Sequence, residues 1–339
     1  MSMKKAVLFA AAALSLVACG KTYLDEPVAQ NSIGFNTWTN NLTKAATRTA
    51  GDSDFVDGDS FVVEGVKTIE NTPSVVFDNV PVTKNGTDWK YDNTRYWDSK
   101  ASAYAFYAVS SPNTTLSFGT EGKIVATEVT FSGEDNDILL ANSVNVAPAN
   151  FGKPVDFLFK HIGALVDLKV KKDAALNDAT VAITGVSFEK IDGTAKFAVT
   201  GYSSNVPTVE WTNRDGNTSY NNNSGVVKVE TLPNNVPTTA TDLINKLVVI
   251  PQTLTNTKLL KISYEITDGA GNVNTFNNVE IQLNQFDKVD DTDNEDEFIS
   301  TWEASKHYVY TLTISANAIT FTADITDWTS VEGYHYLVK

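Results

Sequence analysis

One cysteine occurs in 339 residues, Cys19. No internal disulfide can form, so packed cores must supply the stability. Arginine is almost as scarce: Arg48, Arg95 and Arg214 are the whole set. Three histidines occur, His161, His307 and His335, and they share no metal-ligand spacing. No apolar run is long enough to cross a bilayer of ~30 Å as a helix. No amphipathic helical pattern runs beyond about two turns. Cations are outnumbered, 26 Lys+Arg against 41 Asp+Glu, for a net charge of −15. That balance argues against nucleic acid as a partner and against direct attraction to anionic lipid. Gly-x-Ser-x-Gly, His-Glu-x-x-His and phosphate-cradling glycine loops are all missing. Paired carboxylates brought together by the fold are the one remaining route to catalysis. The chain therefore reads as a protein that is not an enzyme, with no cofactor and no metal site.

What is present begins at the N-terminus. Lys4 and Lys5 precede an apolar run over 6–17, a pattern of bacterial secretion. The run ends in Leu16-Val17-Ala18-Cys19, which resembles the lipobox of bacterial lipoproteins at all four positions. The alternative is an ordinary signal peptide with a chance cysteine. The lipobox resemblance implies cleavage before Cys19, diacylation of its sulfur and acylation of the new amine. Residues 1–18 are then a signal peptide, and lipid on Cys19 tethers the remainder. Two or more acyl chains anchor stably where one does not. A lipidated thiol also removes nucleophilic cysteine chemistry.

From 21 to about 49 the chain is polar, with one apolar island at Ile33-Gly34-Phe35. Strand signals then recur about every ten residues, separated by Asp-Gly, Gly-Asn, Asn-Asn and Pro turns. They include 60–66, 74–82, 87–97, 103–109, 123–131 and 137–144, and a double strand at 154–171 broken near His161. Further runs lie at 180–188, 193–201, 207–212, 225–232, 246–251, 258–267, 273–283, 307–314 and 318–328. The stretch "TDLINKL" (241–247) is the one candidate short helix. About fifteen alternating strands predict an all-β chain with two β-sandwiches in series. The polar break at 172–178 places the boundary, giving domains at 49–172 and 173–339.

Three features invite a functional reading. His161, within "FLFKHIGAL", is either a satisfied structural histidine at a strand bend or a ligand. The acidic run 287–297 is a solvated loop or an irregular calcium site; it lacks the glycine that an EF-hand requires at its sixth position. Trp89 and Tyr91 share one strand face, which suits a sandwich core or, alternatively, stacking on sugar rings.

An ordered set of segments resembles the fimbrillin (fimbrial subunit) lipoproteins of Bacteroidales. After the lipobox come "IGF", "ATRTAGDSDF" (46–55) and "GDSFVV" (58–63). "WKYDNTRYWDSKASAYAFYAVSSP" (89–112), "DILLA" (137–141) and "VDFLFKHIGALVDLKV" (155–170) follow. "WEASKHYVYTLTISANAITFTADITDW" (302–328) completes it. Asp98 departs from the pattern, since relatives often carry Pro after the Tyr-Trp pair.

The resemblance implies two transthyretin-like β-sandwich domains and a structural or adhesive role in a cell-surface fimbrium. It implies export as an outer-membrane lipoprotein, then proteolysis at an arginine that removes a first strand, then filling of the vacated groove by a neighbour's strand. Residues 19–48 are then a lipidated pro-segment whose removable strand is "SIGFN" (32–36). Cleavage falls between Arg48 and Thr49. The donor is the tail 329–339, with Tyr334, Tyr336 and Val338 on one face at period two. The partners implied are other fimbrial subunits, the outer membrane through Cys19 before processing, and a host or bacterial surface ligand. A fimbrial tip or anchor subunit, or a lipid-anchored binding protein that never polymerises, is the alternative.

Overall fold

The computed structural model describes residues 32–39, 55–111, 114–131, 137–203, 206–221, 232–288, 298–316 and 318–328. Strands dominate them, and helix is confined to short 3-10 turns. The first nine strands are β1 (Phe35–Thr39), β2 (Ser60–Ile69), β3 (Thr72–Asn85), β4 (Asp88–Lys90), β5 (Ala103–Ser110), β6 (Ile124–Thr130), β7 (Leu139–Val146), β8 (Val155–His161) and β9 (Ala164–Lys172). Next come β10 (Thr180–Ile191), β11 (Thr194–Ser203), β12 (Val206–Thr212), β13 (Thr218–Asn221), β14 (Thr241–Val249), β15 (Gln252–Thr253) and β16 (Leu259–Thr267). The last are β17 (Val273–Gln282), β18 (Asp287–Lys288), β19 (Thr301–Trp302), β20 (Lys306–Ile314) and β21 (Ile319–Asp327).

A seven-stranded sheet is ordered β1-β8-β7-β5-β2-β3-β4, and a three-stranded sheet β12-β11-β6. A four-stranded sheet, β13-β10-β16-β17, and a five-stranded sheet, β14-β9-β20-β21-β18, share one apolar core. Strand β5 shows why the run "AYAFYAVS" is almost continuously apolar. Tyr104, Phe106 and Ala108 face the core of the seven-stranded sheet. Tyr107 and Val109 face a middle core shared with Phe197 of β11, Val248 of β14 and Trp328. A strand covered on both faces has no reason to alternate.

The chain passes from the seven-stranded to the five-stranded sheet at Ile162-Gly163. A Cβ on Gly163 would lie 2.9 Å from Val248 Cγ1 and 3.3 Å from the Val249 carbonyl oxygen, so glycine permits the close approach. The segment 164–172, grouped by sequence with the first unit, instead pairs with β14 and, in parallel, with β20. The β11–β12 hairpin, from beyond the expected boundary at 172/173, pairs back onto β6. The polar break at 172–178 is a turn inside the second sandwich. The true crossing is buried between Ile162 and Leu165 and carries no polar signal.

The candidate short helix over 241–247 is not a helix. It is strand β14, antiparallel to β9, with register shifts between Asp242 and Ile244 and between Ile244 and Leu247. Those bulges put Leu243, Ile244 and Leu247 inward at a spacing that mimics a helix. Positive φ at Lys246 (59°) marks the distortion.

Candidate strand-acceptor site

The apolar island before β2 closes a seam. The seven-stranded sheet rolls until β1, at one edge, meets the segment following β4 at the other. On one side β1 runs parallel to β8, from Phe35 opposite Val155 to Thr39 opposite Phe159. The Val155 N–H donates to the Gly34 carbonyl oxygen at 2.7 Å. On the other side the Ile33 N–H donates to the Arg95 carbonyl oxygen at 2.9 Å, and Ser32 bridges Tyr96. The Tyr91 hydroxyl donates to the Ile33 carbonyl oxygen at 2.6 Å. Burial raises the pKa of that hydroxyl.

Period two decides which residues fill the seam. Ile33, Phe35 and Thr37 point inward and are 1%, 5% and 3% exposed. Phe35 stacks on Phe157 with centroids 5.6 Å apart. It meets Phe61, Phe77, Tyr91 and Phe106 edge-on at 5.5–6.3 Å. Burying such a ring contributes about 1.5–3 kcal/mol, and each ring pair about 0.5–1.5 kcal/mol more. Thr37 accepts a hydrogen bond from Trp89 Nε1 at 3.2 Å. Asn36 points outward and donates to Asp156 Oδ1 at 3.1 Å.

The far wall of the seam is organised by Arg95. Its guanidinium lies 5.3 Å from the Phe77 ring centroid and 5.9 Å from that of Tyr91. Nε donates to the Val76 carbonyl oxygen at 3.2 Å, and Nη1 donates to the carbonyls of Asp92 and Asn93. Without residues 32–39 the slot would present one edge of β8, an aromatic trough, the Tyr91 hydroxyl and the Arg95 carbonyl. That is the inventory for adding an extended strand, backbone bonds giving affinity and side-chain pockets giving selectivity.

The expected removable strand is thus seated in a built slot. The other expected site residues, Cys19, Arg48, Thr49, Tyr334, Tyr336 and Val338, lie outside the described residues, as does 289–297 of the acidic run. Trp89 and Tyr91 pack against the aromatic core. Sequence reasoning missed Thr37 and Arg95 as parts of the slot. Thr37 continues the Ile33, Phe35 alternation, which was the available signal. Arg95 contributes through its carbonyl, which side-chain reading cannot find.

His161 is a structural histidine. Its ring is buried, Nδ1 lies 2.8 Å from Asp137 Oδ2, and the ring stacks on Trp328 at 3.6 Å. His307 Nε2 pairs with Asp167 Oδ2 at 2.8 Å. Among the described residues, no group of three or more His, Cys, Asp or Glu could hold a metal ion.

Comparison with known proteins follows the same lines. A family model described as fimbrillin-like matches residues 43–328, from after β1 to Trp328. No curated protein matches the sequence. Among solved structures, a fimbrial protein from Bacteroides vulgatus superimposes with a TM-score of 0.54 at 19% identity, covering 88% of this chain and all (100%) of that one. A fimbrilin from Porphyromonas gingivalis gives 0.44 at 11% identity, covering 90% and 100% of the two chains. The tip fimbrial protein Mfa3 from Porphyromonas gingivalis, with a C-terminal truncation, gives 0.39 at 10%, covering 80% and 95%.

Proposed function

The chain belongs to the fimbrillin-like family, a structural kind of cell-surface protein, and from that premise we propose how it assembles. It is a fimbrial subunit exported with lipid on Cys19, which holds the precursor at the outer membrane. Cleavage between Arg48 and Thr49 frees residues 32–39. The vacated slot then accepts the tail 329–339 of another subunit, Tyr334, Tyr336 and Val338 entering the trough. Such a contact is heterologous and does not close on itself, so it propagates as a filament. The assembled fimbrium would then meet a host or bacterial surface ligand.

One observation carries this reading. Ile33, Phe35 and Thr37 belong to the segment that precedes Arg48, yet they fill the centre of a folded core. A strand joined to its domain only through a cleavable stretch can be exchanged without rebuilding any other strand. The test pairs two variants. Arg48→Ala should yield a lipidated chain that stays unassembled, and deletion of 329–339 should yield a folded monomer that cannot polymerise. Normal filaments from the first refute the cleavage site; normal filaments from the second refute the donor.

A further inference from the structure

Among the chain's three arginines, Arg214 is tied to the folded body at 3.1 Å from Asp192 Oδ2 and 2.8 Å from the Pro251 carbonyl oxygen. Asp192 is itself buried and also holds Lys258 at 3.2 Å. Arg95 differs, because its carbonyl is held by the Ile33 N–H, just before β1. We propose that Arg95 is a second, conditional cleavage site, shielded while the slot holds a strand and cut when the slot stands empty. This rests on the reading that residues 32–39 are removable.

An endoprotease must draw an extended stretch of several residues into its cleft, so a folded site is cut only after local opening. The stretch around Arg95 spans residues 91–97. On one side lies β4, which pairs with β3. On the other, Trp97 stacks on Phe151 at 4.9 Å and meets Tyr104 edge-on at 4.8 Å, while Asp98 accepts from Lys67 Nζ at 2.7 Å and its N–H donates to the Tyr104 hydroxyl at 2.8 Å. Between these anchors, the Ile33 N–H, the Ile33 carbonyl and the Ser32 bridge tie the stretch to β1. Phe35 packs on Tyr91 and on Phe77, the two rings beneath the guanidinium. The bonds from Arg95 to Asp92, Asn93 and Tyr91 are internal to the stretch and open with it. Among the described residues, losing 32–39 therefore leaves Arg95 with the hydrogen bond to Val76 and the Phe77 ring as its holds outside the stretch.

The step is ordinary hydrolysis. Water adds across the Arg95–Tyr96 amide, leaving a carboxylate on Arg95 and an amine on Tyr96. The catalyst is an arginine-specific endoprotease, the class that cleavage after Arg48 already requires. A subunit stripped of β1 that meets no incoming strand is nicked within its own slot wall and removed from assembly, while a filled slot is spared.

The test digests the full-length chain with an arginine-specific endoprotease, reading fragments by intact mass and release of the N-terminal piece by gel filtration. Digested at a dilution at which chains stay monomeric, so that no tail 329–339 fills a neighbour's slot, the wild-type chain should be cut after Arg48, lose residues 32–39, and then show a new N-terminus at Tyr96. In the Arg48→Ala chain, Arg95 should be cut at least about tenfold more slowly. Excess synthetic peptide of residues 32–39, added after the first cut, should restore protection. Adding Phe35→Asp to the Arg48→Ala chain unseats β1 without cutting it and should expose Arg95; Phe35→Ala should do so to a smaller extent if Asp unfolds the chain. If the N-terminal piece never leaves wild type, the removable-strand reading fails. If it leaves and Arg95 stays whole, or if Arg95 is protected in both Phe35 variants, this inference fails. Cleavage at Arg214 in step with Arg95 would mean general unfolding and would also overturn it.

Discussion

Strands β1 and β9 both run parallel to a neighbour and both turn an alternating row inward, yet they stand in opposite relations to the fold. Strand β9 is nine residues long and has ladder partners on both sides, β14 and β20. Its Val166, Leu168 and Val170 have no exposed surface. Strand β1 has five residues and one ladder partner, β8; its other side is closed by a tyrosine hydroxyl, one carbonyl and one isolated bridge. Burial alone does not separate the two strands. Phe35 is nearly as buried as Leu168, and the two strands differ instead in how many ladder partners hold them.

Four perturbations probe that contrast, the largest first. Leu168→Asp places an unpaired carboxylate at the centre of the second sandwich and should cost more than about 5 kcal/mol, enough to abolish its cooperative unfolding transition. A normal melt by circular dichroism would mean that β9 is as dispensable as β1. Phe35→Ala should cost about 3 kcal/mol, confined to the seam. Amide exchange should accelerate in β8 and residues 91–97 and stay unchanged in β9 and β20. Equal acceleration in both places would erase the distinction.

Changing pH separates the regions more gently. Glu64 in β2 is buried, and that burial, helped by Asp78, pushes its carboxyl up to about 7. Its folded pKa exceeds its unfolded value, so the folded state holds the proton more tightly. Stability of the seven-stranded sheet should therefore fall as pH rises from about 4.5 to about 7 and level off above, by at most about 3 kcal/mol. Glu64→Gln should remove that slope and raise the melting temperature at pH 8; an unchanged slope would show that another group controls it. Smallest is Thr37→Val, which keeps the shape but leaves Trp89 Nε1 without its acceptor, at about 1 kcal/mol. A melt indistinguishable from wild type would remove Trp89 from the slot's account.

Much of this was legible in the sequence, and the limits have physical causes. Ile33 and Phe35 stood out only as an apolar island in a polar segment, and the resemblance supplied the strand; the shared face of Trp89 and Tyr91 suited a core or sugar stacking, and they pack in the core. Periodicity reports which face a residue takes, because that is local. It does not report which strand lies alongside, and so β9 was grouped with the wrong sheet. The bulges in β14 erased the period-two pattern and left a helical one. Arg95 stayed invisible as a slot residue because its carbonyl makes the contact, and any residue carries a carbonyl.

We propose that β1 occupies a slot meant for another strand. The N-terminal residue of the subunit within isolated filaments tests it most directly, read by mass spectrometry of the dissociated fibre. The account predicts Thr49, with residues 32–39 absent. Filaments whose subunits begin at Cys19 and keep Ile33 and Phe35 in place would contradict it.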